Sequence, residues 1–331
     1  MPAALAGGTW AATVAFPLIV EPSPPDAKRR AAAECTRGLV VVVGSVNRDH
    51  LISVERRPAT GETVIGARLS AAPGGKGANQ AVAASLLGAE VAMVGRVGSD
   101  PAADEARRDL EDRGVGTEHL LQTSGVQTGA AFVMLTPDGQ NSIIVASGAN
   151  SELTEEDVTC AGALIGAAAV VVLSLEVPSA AVARAASLAR NGALVILSAA
   201  PVHAVYDGLL RSVDVVVVNE LEGAQLATRT EKPPSLLVTT LGNRGARAVA
   251  GRKEMTVLAP RSKVVDTTGA GDAFVGALAA WLALHDHPAA PLRDVIERAL
   301  RAAVAAASYS VRALGAQPSY GTAAEVGPPW T

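Results

Sequence analysis

Only two cysteines, Cys35 and Cys160, occur in the 331 residues. They can build neither a disulfide framework nor a four-ligand zinc site, so a reducing compartment, the cytoplasm, suits the chain. The five histidines, His50, His119, His203, His285 and His287, lack metal-ligand grouping apart from the His285/His287 pair and are assigned no role. Basic excess is also missing. A net charge of -4 gives no electrostatic reason to expect nucleic acid or an anionic membrane as partner, which leaves a small molecule as the default. No apolar run is long and uninterrupted enough to span a bilayer, because the Ala-rich stretches end at charges or proline. The opening "LAGGTWAATVAFPLIV" has no basic n-region and runs into "EPSPPDAKRR", so residues 1–37 read as a disordered extension rather than a targeting segment. No internal repeat is visible.

Hydrophobic residues are plentiful, at 49%. They are enough for one large core, placed at 38–321, with a short tail over 322–331. From residue 38 the chain alternates β-branched runs with amphipathic ones. "LVVVVGS" (39–45), "AVVVLSL" (169–175), "ALVILSA" (193–199), "VDVVVVN" (213–219) and "LLVTTLG" (236–242) read as strands buried on both faces, hence a parallel sheet. Segments 77–87, 154–165, 178–190 and 272–284 carry helical spacing, and "LTEED" opens one of them with a Thr-x-x-Asp cap. The order gives a three-layer α/β/α sandwich. Residues 51–69 and 130–146, the latter with a "PDG" turn, read instead as antiparallel strands of a small sheet over one edge.

Two glycine-rich turns enter helices. "PGGKGANQAVAA" (73–84) lets backbone approach a ligand and sets Lys76 and Asn79 beside it. It is no Walker A loop, since Gly77 follows Lys76 where Ser or Thr is required, and it does not match G-x-G-x-x-G. "DTTGAGDAFVG" (266–276) aims the amides of Gly269, Ala270 and Gly271 at developing negative charge and places Asp272 to accept a proton from a hydroxyl. The bland alternatives are a packing turn for the first and a dipole-complementing acid for the second. Asn47 and Asp49, Glu176, and Asn219 and Glu222 follow predicted strand ends, where an open α/β sheet binds its ligands.

In this order, "VVVGSVNRDH", "GETV", "PGGKGANQAVAA", "NELE", "TLGNRGA", "DTTGAGDAFVGAL" and "GAQPSY" resemble the ribokinase-like (PfkB) family of carbohydrate and nucleoside kinases, over about residues 39–320. "GSVNRDH", "GGKGANQ" and "GAQPS" together point to its D-ribose branch. The resemblance implies ATP-dependent transfer to the sugar's 5-hydroxyl, an α/β/α body, and a β lid that pairs with another subunit's lid as a homodimer. It implies that Asn47, Asp49, Gly75, Lys76, Asn79 and Glu176 hold the pentose, with Asp272 as general base and Gly269, Ala270 and Gly271 as anion hole. Asn219, Thr240, Leu241, Gly242, Asn243, Arg244, Gly245 and Gly271 would line the nucleotide, and Asn219 and Glu222 would organise hydrated Mg2+. An activating K+ would take Asp266, Thr268, Ser310, Ala313, Gly315 and Ser319. The sequence departs from the family in a short 228–235 connection, in Ala103 and in Ser198. Rival readings are another sugar or nucleoside kinase of the family, and a sugar-responsive binding protein without turnover.

Overall fold

The computed structural model describes residues 36–64, 68–136, 141–189, 193–202, 205–285 and 292–330. Most of the N-terminal extension, the "PDG" turn, His203 and His287 lie outside the described residues. Among those described, thirteen strands form two sheets. The main sheet has the order β13 (Lys253–Val257), β12 (Ala246–Ala250), β11 (Leu237–Thr240), β10 (Val215–Asn219), β9 (Leu194–Ser198), β8 (Ala168–Ser174), β1 (Thr36–Val43), β4 (Glu90–Val97), β5 (Val115–Gln122). It is parallel except for the β11–β12–β13 edge. All five predicted strands are there. Four more were not predicted: β4 and β5, interrupted by glycine and charge, and the short polar hairpin β12–β13.

The run of valines in β1 explains the layering. Val40 and Val42 pack on one side with α1 (Lys76–Leu86), α2 (Pro101–Glu111), α5 (Ala270–Leu284) and α6 (Leu292–Ser310). Val41 and Val43 pack on the other with α3 (Ser179–Leu188) and with Leu226 of α4 (Glu220–Arg229). Both faces are covered, as a parallel sheet requires. The tail is packed too: Trp330 Nε1 donates to Ala302 O at 3.1 Å.

The second sheet, β3 (Arg68–Gly74), β2 (Asn47–Ser53), β6 (Gly129–Leu135), β7 (Asn141–Ala146), is the predicted lid with one correction. Its β2–β3 and β6–β7 pairs are antiparallel, but β2 and β6 run parallel, with Asn47 beside Gly129. The cause is topological. β2 follows β1 and β6 follows β5, two parallel strands, so both leave the main sheet in the same direction. The lid therefore begins at Asn47, earlier than predicted. Arg48 ties it to the body through Glu105 (3.0 Å) and Asp109 (3.3 Å) on α2.

Candidate active site

Helix α5 is apolar around its whole circumference save for Asp272, so it can only lie inside the protein, and residues 272–283 are all buried. Its acid sits in the first turn, at the positive end of the helix dipole. Asn79 Nδ2 donates to Asp272 Oδ2 and Gln80 Nε2 to Oδ1, both at 3.0 Å. Burial raises the Asp272 pKa, opposed by the Lys76 charge and by these two carboxamides. Gly269 opens the helix at φ 74, where a Cβ would fall 2.5 Å from Ala316 Cβ and 2.6 Å from the Tyr320 hydroxyl. That hydroxyl donates to Gly269 O at 3.0 Å. Of the three predicted anion-hole amides, that of Ala270 closes the turn onto Thr267 O (3.2 Å), while Gly271 lies exposed beside it.

At the start of α1, Gly75 has φ 88 and rests on β1's exit, so that a Cβ would lie 2.7 Å from Asn47 N. Glu176, past the end of β8, accepts from Lys76 N (3.2 Å) and from the Ser45 hydroxyl. Lys76 is held above the ordinary lysine pKa by Asp272 first, against burial, with Glu176 and Glu222 adding to the effect. Asn47 is buried and accepts from Asn150 Nδ2 at 2.7 Å. From the lid, Asp49 completes the cluster: a Cβ on Gly74 would be 2.2 Å from its carboxyl carbon. Its Oδ1 is a buried acceptor with no hydrogen-bond partner among the described residues.

Burial, then the charges of Glu176 and Asp272, push the Asp49 pKa from 3.8 to about 6. A carboxyl whose folded pKa is raised destabilises the fold in its ionised form, so the penalty is full above about pH 6 and absent below 3.8. Two pK units correspond to about 3 kcal/mol at most. Asp49→Asn is therefore expected to melt higher than the parent protein at pH 7.5, with the gap closing as pH falls from 6 towards 4. An equal or lower melting temperature at pH 7.5 contradicts this.

The remaining predicted residues lie at the same sheet edge. Asn219 and Glu222 form a reciprocal capping box at the start of α4, both bonds 2.8 Å. Thr240 ends β11, and Leu241 to Gly245 turn back, with Leu241 N on Gly245 O at 2.7 Å and Asn243 within the turn. Arg244 reaches across to Glu220. Asp266 Oδ1 accepts from Thr268 N and Oγ1 (2.9 and 2.7 Å) and Oδ2 from Gly315 N (2.8 Å). Burial works upward on the Asp266 pKa, but these bonds outweigh it and hold it low. Ser310 and Ser319 turn their hydroxyls onto Ala307 O and Ala316 O, and Ala313 is exposed.

A buried acid at a helix start, amides beside it and a lid acid opposite suit transfer of a charged group to a hydroxyl. The description "pfkB family carbohydrate kinase" matches residues 37–323. The chain belongs to that family. Within it, this carbohydrate kinase is 35% identical to the ribokinase of Haemophilus influenzae over 306 residues, covering 87% of this chain and 97% of the relative. It is 36% identical to the Bacillus subtilis ribokinase over 294 residues, with the same two coverages. The structure of Arabidopsis thaliana ribokinase complexed with ribose and ATP superposes with a TM-score of 0.77 at 32% identity, covering 88% of this chain and 98% of that one. The geometry of the pfkB-family site adds residues that sequence reasoning did not assign. Ser45, Gln80, Gln317 and Tyr320 stood inside quoted motifs, so their polarity was the available signal. Asn150 lies after the lid, with none.

Proposed function

We propose that this kinase transfers the γ-phosphoryl group of ATP to the 5-hydroxyl of D-ribose, giving ribose 5-phosphate and ADP. The observation that carries the reading is Asp272, an acid buried at the α5 start with its carboxylate held by Asn79 and Gln80 and faced by Lys76. Asp49 and Asn79 hold sugar hydroxyls, and Asn47, Gly75, Lys76 and Glu176 complete the sugar wall. Asp272 takes the 5-hydroxyl proton as that oxygen bonds to the γ-phosphorus and the bond to the bridging oxygen of ADP breaks. The amides of Gly269 and Gly271, with Ala270 closing the turn between them, receive the developing charge. Asn219 and residues 240–245 line the nucleotide.

No group of three or more acidic, histidine or cysteine side chains suited to a metal occurs among the described residues. Glu222 spends one oxygen on its cap. That donor set fits Mg2+ held through water, which neutralises the triphosphate when bound. At the other end, Asp266 is kept ionised and joined to Gly315. Hydroxyl and carbonyl oxygens of 310–319 retain acceptor lone pairs. These fit K+, which when bound would neutralise Asp266 and steady the turn leading to Gly269. Replacing potassium by tetramethylammonium at constant ionic strength is expected to lower kcat. An unchanged kcat rejects the site.

Exposed Leu69, Phe132, Ile143, Ile144 and Val145 on the lid support a homodimer formed through it. No helix among the described residues is long and apolar enough to cross a membrane. We place the enzyme in the cytoplasm. The function is tested by following ADP release from MgATP with D-ribose, 2-deoxyribose, fructose and adenosine. Because Asp49 offers an ionised acceptor to a hydroxyl, ribose is expected to have the highest kcat/KM, ahead of 2-deoxyribose and both ahead of the others. Faster use of fructose or adenosine assigns another branch, and binding without ADP release assigns a sugar-responsive binding protein.

A further inference from the structure

Gln317 belongs to the "GAQPSY" motif, yet none of the roles above uses it. It is 3% exposed, and its Nε2 donates to Asn79 Oδ1 at 3.1 Å. Asn79 in turn donates to Asp272 Oδ2. The direction of this chain of bonds is dictated from one end. An ionised carboxylate can only accept, so Asn79 must present its NH2 to Asp272, and its oxygen must then face Gln317, which must donate. The carboxylate selects that orientation at the NH2 end of Asn79, and Gln317 holds it from the oxygen end, so the amide is fixed on both sides.

The turn that delivers Gln317 is itself fixed at both ends. Gly315 N bonds Asp266 and the Tyr320 hydroxyl bonds Gly269 O, the first and last residues of the "DTTG" turn. Ser319 N closes the turn on Ala316 O at 3.0 Å. Packing alone does not explain a glutamine there. Its Oε1 is buried with no partner among the described residues, which costs stability, whereas leucine or methionine fills a similar volume with no unmet acceptor. The donated bond to Asn79 is what the carboxamide adds.

We propose that Gln317 is a positioning residue for phosphoryl transfer, locking the Asn79 carboxamide in the one orientation that both directs its N–H at Asp272 and holds the sugar beside that base. This rests on Asp272 being the base. It makes the C-terminal motif part of the machinery that aligns acceptor hydroxyl and base, in addition to any cation it holds.

The test is a double-mutant cycle on the full-length enzyme with D-ribose and MgATP. Gln317→Leu is expected to lower kcat about 10- to 100-fold, the range for a small misplacement of reacting groups, while the KM for ATP stays unchanged. In an Asn79→Ala background the same replacement is expected to change kcat by less than about twofold, because the residue through which it acts is gone. Equal losses in both backgrounds, or a loss confined to the KM for ATP, overturn the proposal. Should Gln317→Leu fail to fold, Gln317→Met replaces it in the cycle. Its thioether cannot donate to Asn79, so the same kcat loss and the same silence in the Asn79→Ala background are expected, and full activity overturns the proposal. An Asp272→Asn control separates the two readings. If that variant is inactive while Gln317→Leu turns over normally, Gln317 alone is misassigned; if it turns over normally, the base is.

Discussion

Asp272→Asn is expected to lower kcat by about 10² to 10⁴, the usual contribution of a positioned general base, with ribose affinity changed far less. The replacement keeps size and removes only the capacity to take a proton at that atom. The surroundings make the position unforgiving. Both carboxylate oxygens already accept one carboxamide N–H, from Gln80 and Asn79, so an asparagine must turn its own NH2 towards one of those donors. Steady-state turnover paired with calorimetric titration of ribose separates the two effects. Parent-like turnover would falsify the mechanism.

A second large loss is expected from one methyl group placed away from any substrate. At Gly276 a Cβ would lie 2.4 Å from Gln80 O and 2.7 Å from Ala83 Cβ, so α5 meets the backbone of α1 there. Gly276→Ala must part the two helices, and neither can yield cheaply, because one is packed between the sheet and α6 and the other carries Lys76, Asn79 and Gln80. Overpacking of this kind costs roughly 1–3 kcal/mol. The shift of α1 against Asp272 is expected to cut kcat/KM about 10²-fold. Gly166→Ala is the control, since a Cβ there meets nothing within 4 Å among the described residues. If both variants melt and turn over like the parent, the close approach has no consequence.

The body of the fold was legible because its strands are continuous apolar runs and its helix starts carry glycine. Val40 to Val43 could be assigned from chemistry alone. β4 and β5 were not, because "EVAMVGRV" and "VGTEHLLQ" mix charge and glycine into strands whose burial comes from neighbours distant in sequence. The same limit applied to the site. Asp272, Lys76 and Asn79 were visible as chemical groups in tight turns. The bond from Gln317 to Asn79 spans 238 residues, and no local pattern encodes such a contact. The parallel β2–β6 pairing was hidden for the same reason: it is set by where β1 and β5 end.

The two carboxylates assigned to sugar and proton belong to different pieces of architecture. Asp272 rides on α5, whose contact with α1 has no room for a methyl group, whereas Asp49 rides on a sheet joined to the body at Asn47, Gly74 and Gly129 and braced by Arg48. Substitutions that reshape the acceptor pocket can accumulate on the lid strands without disturbing the α1–α5 crossing. The crossing itself is closed to them. Evolvability is thus divided within one molecule: a directed-evolution library aimed at new sugars belongs on β2, β3 and β6, and the same mutation load at the α1–α5 contact around Gly276 is expected to cost activity instead.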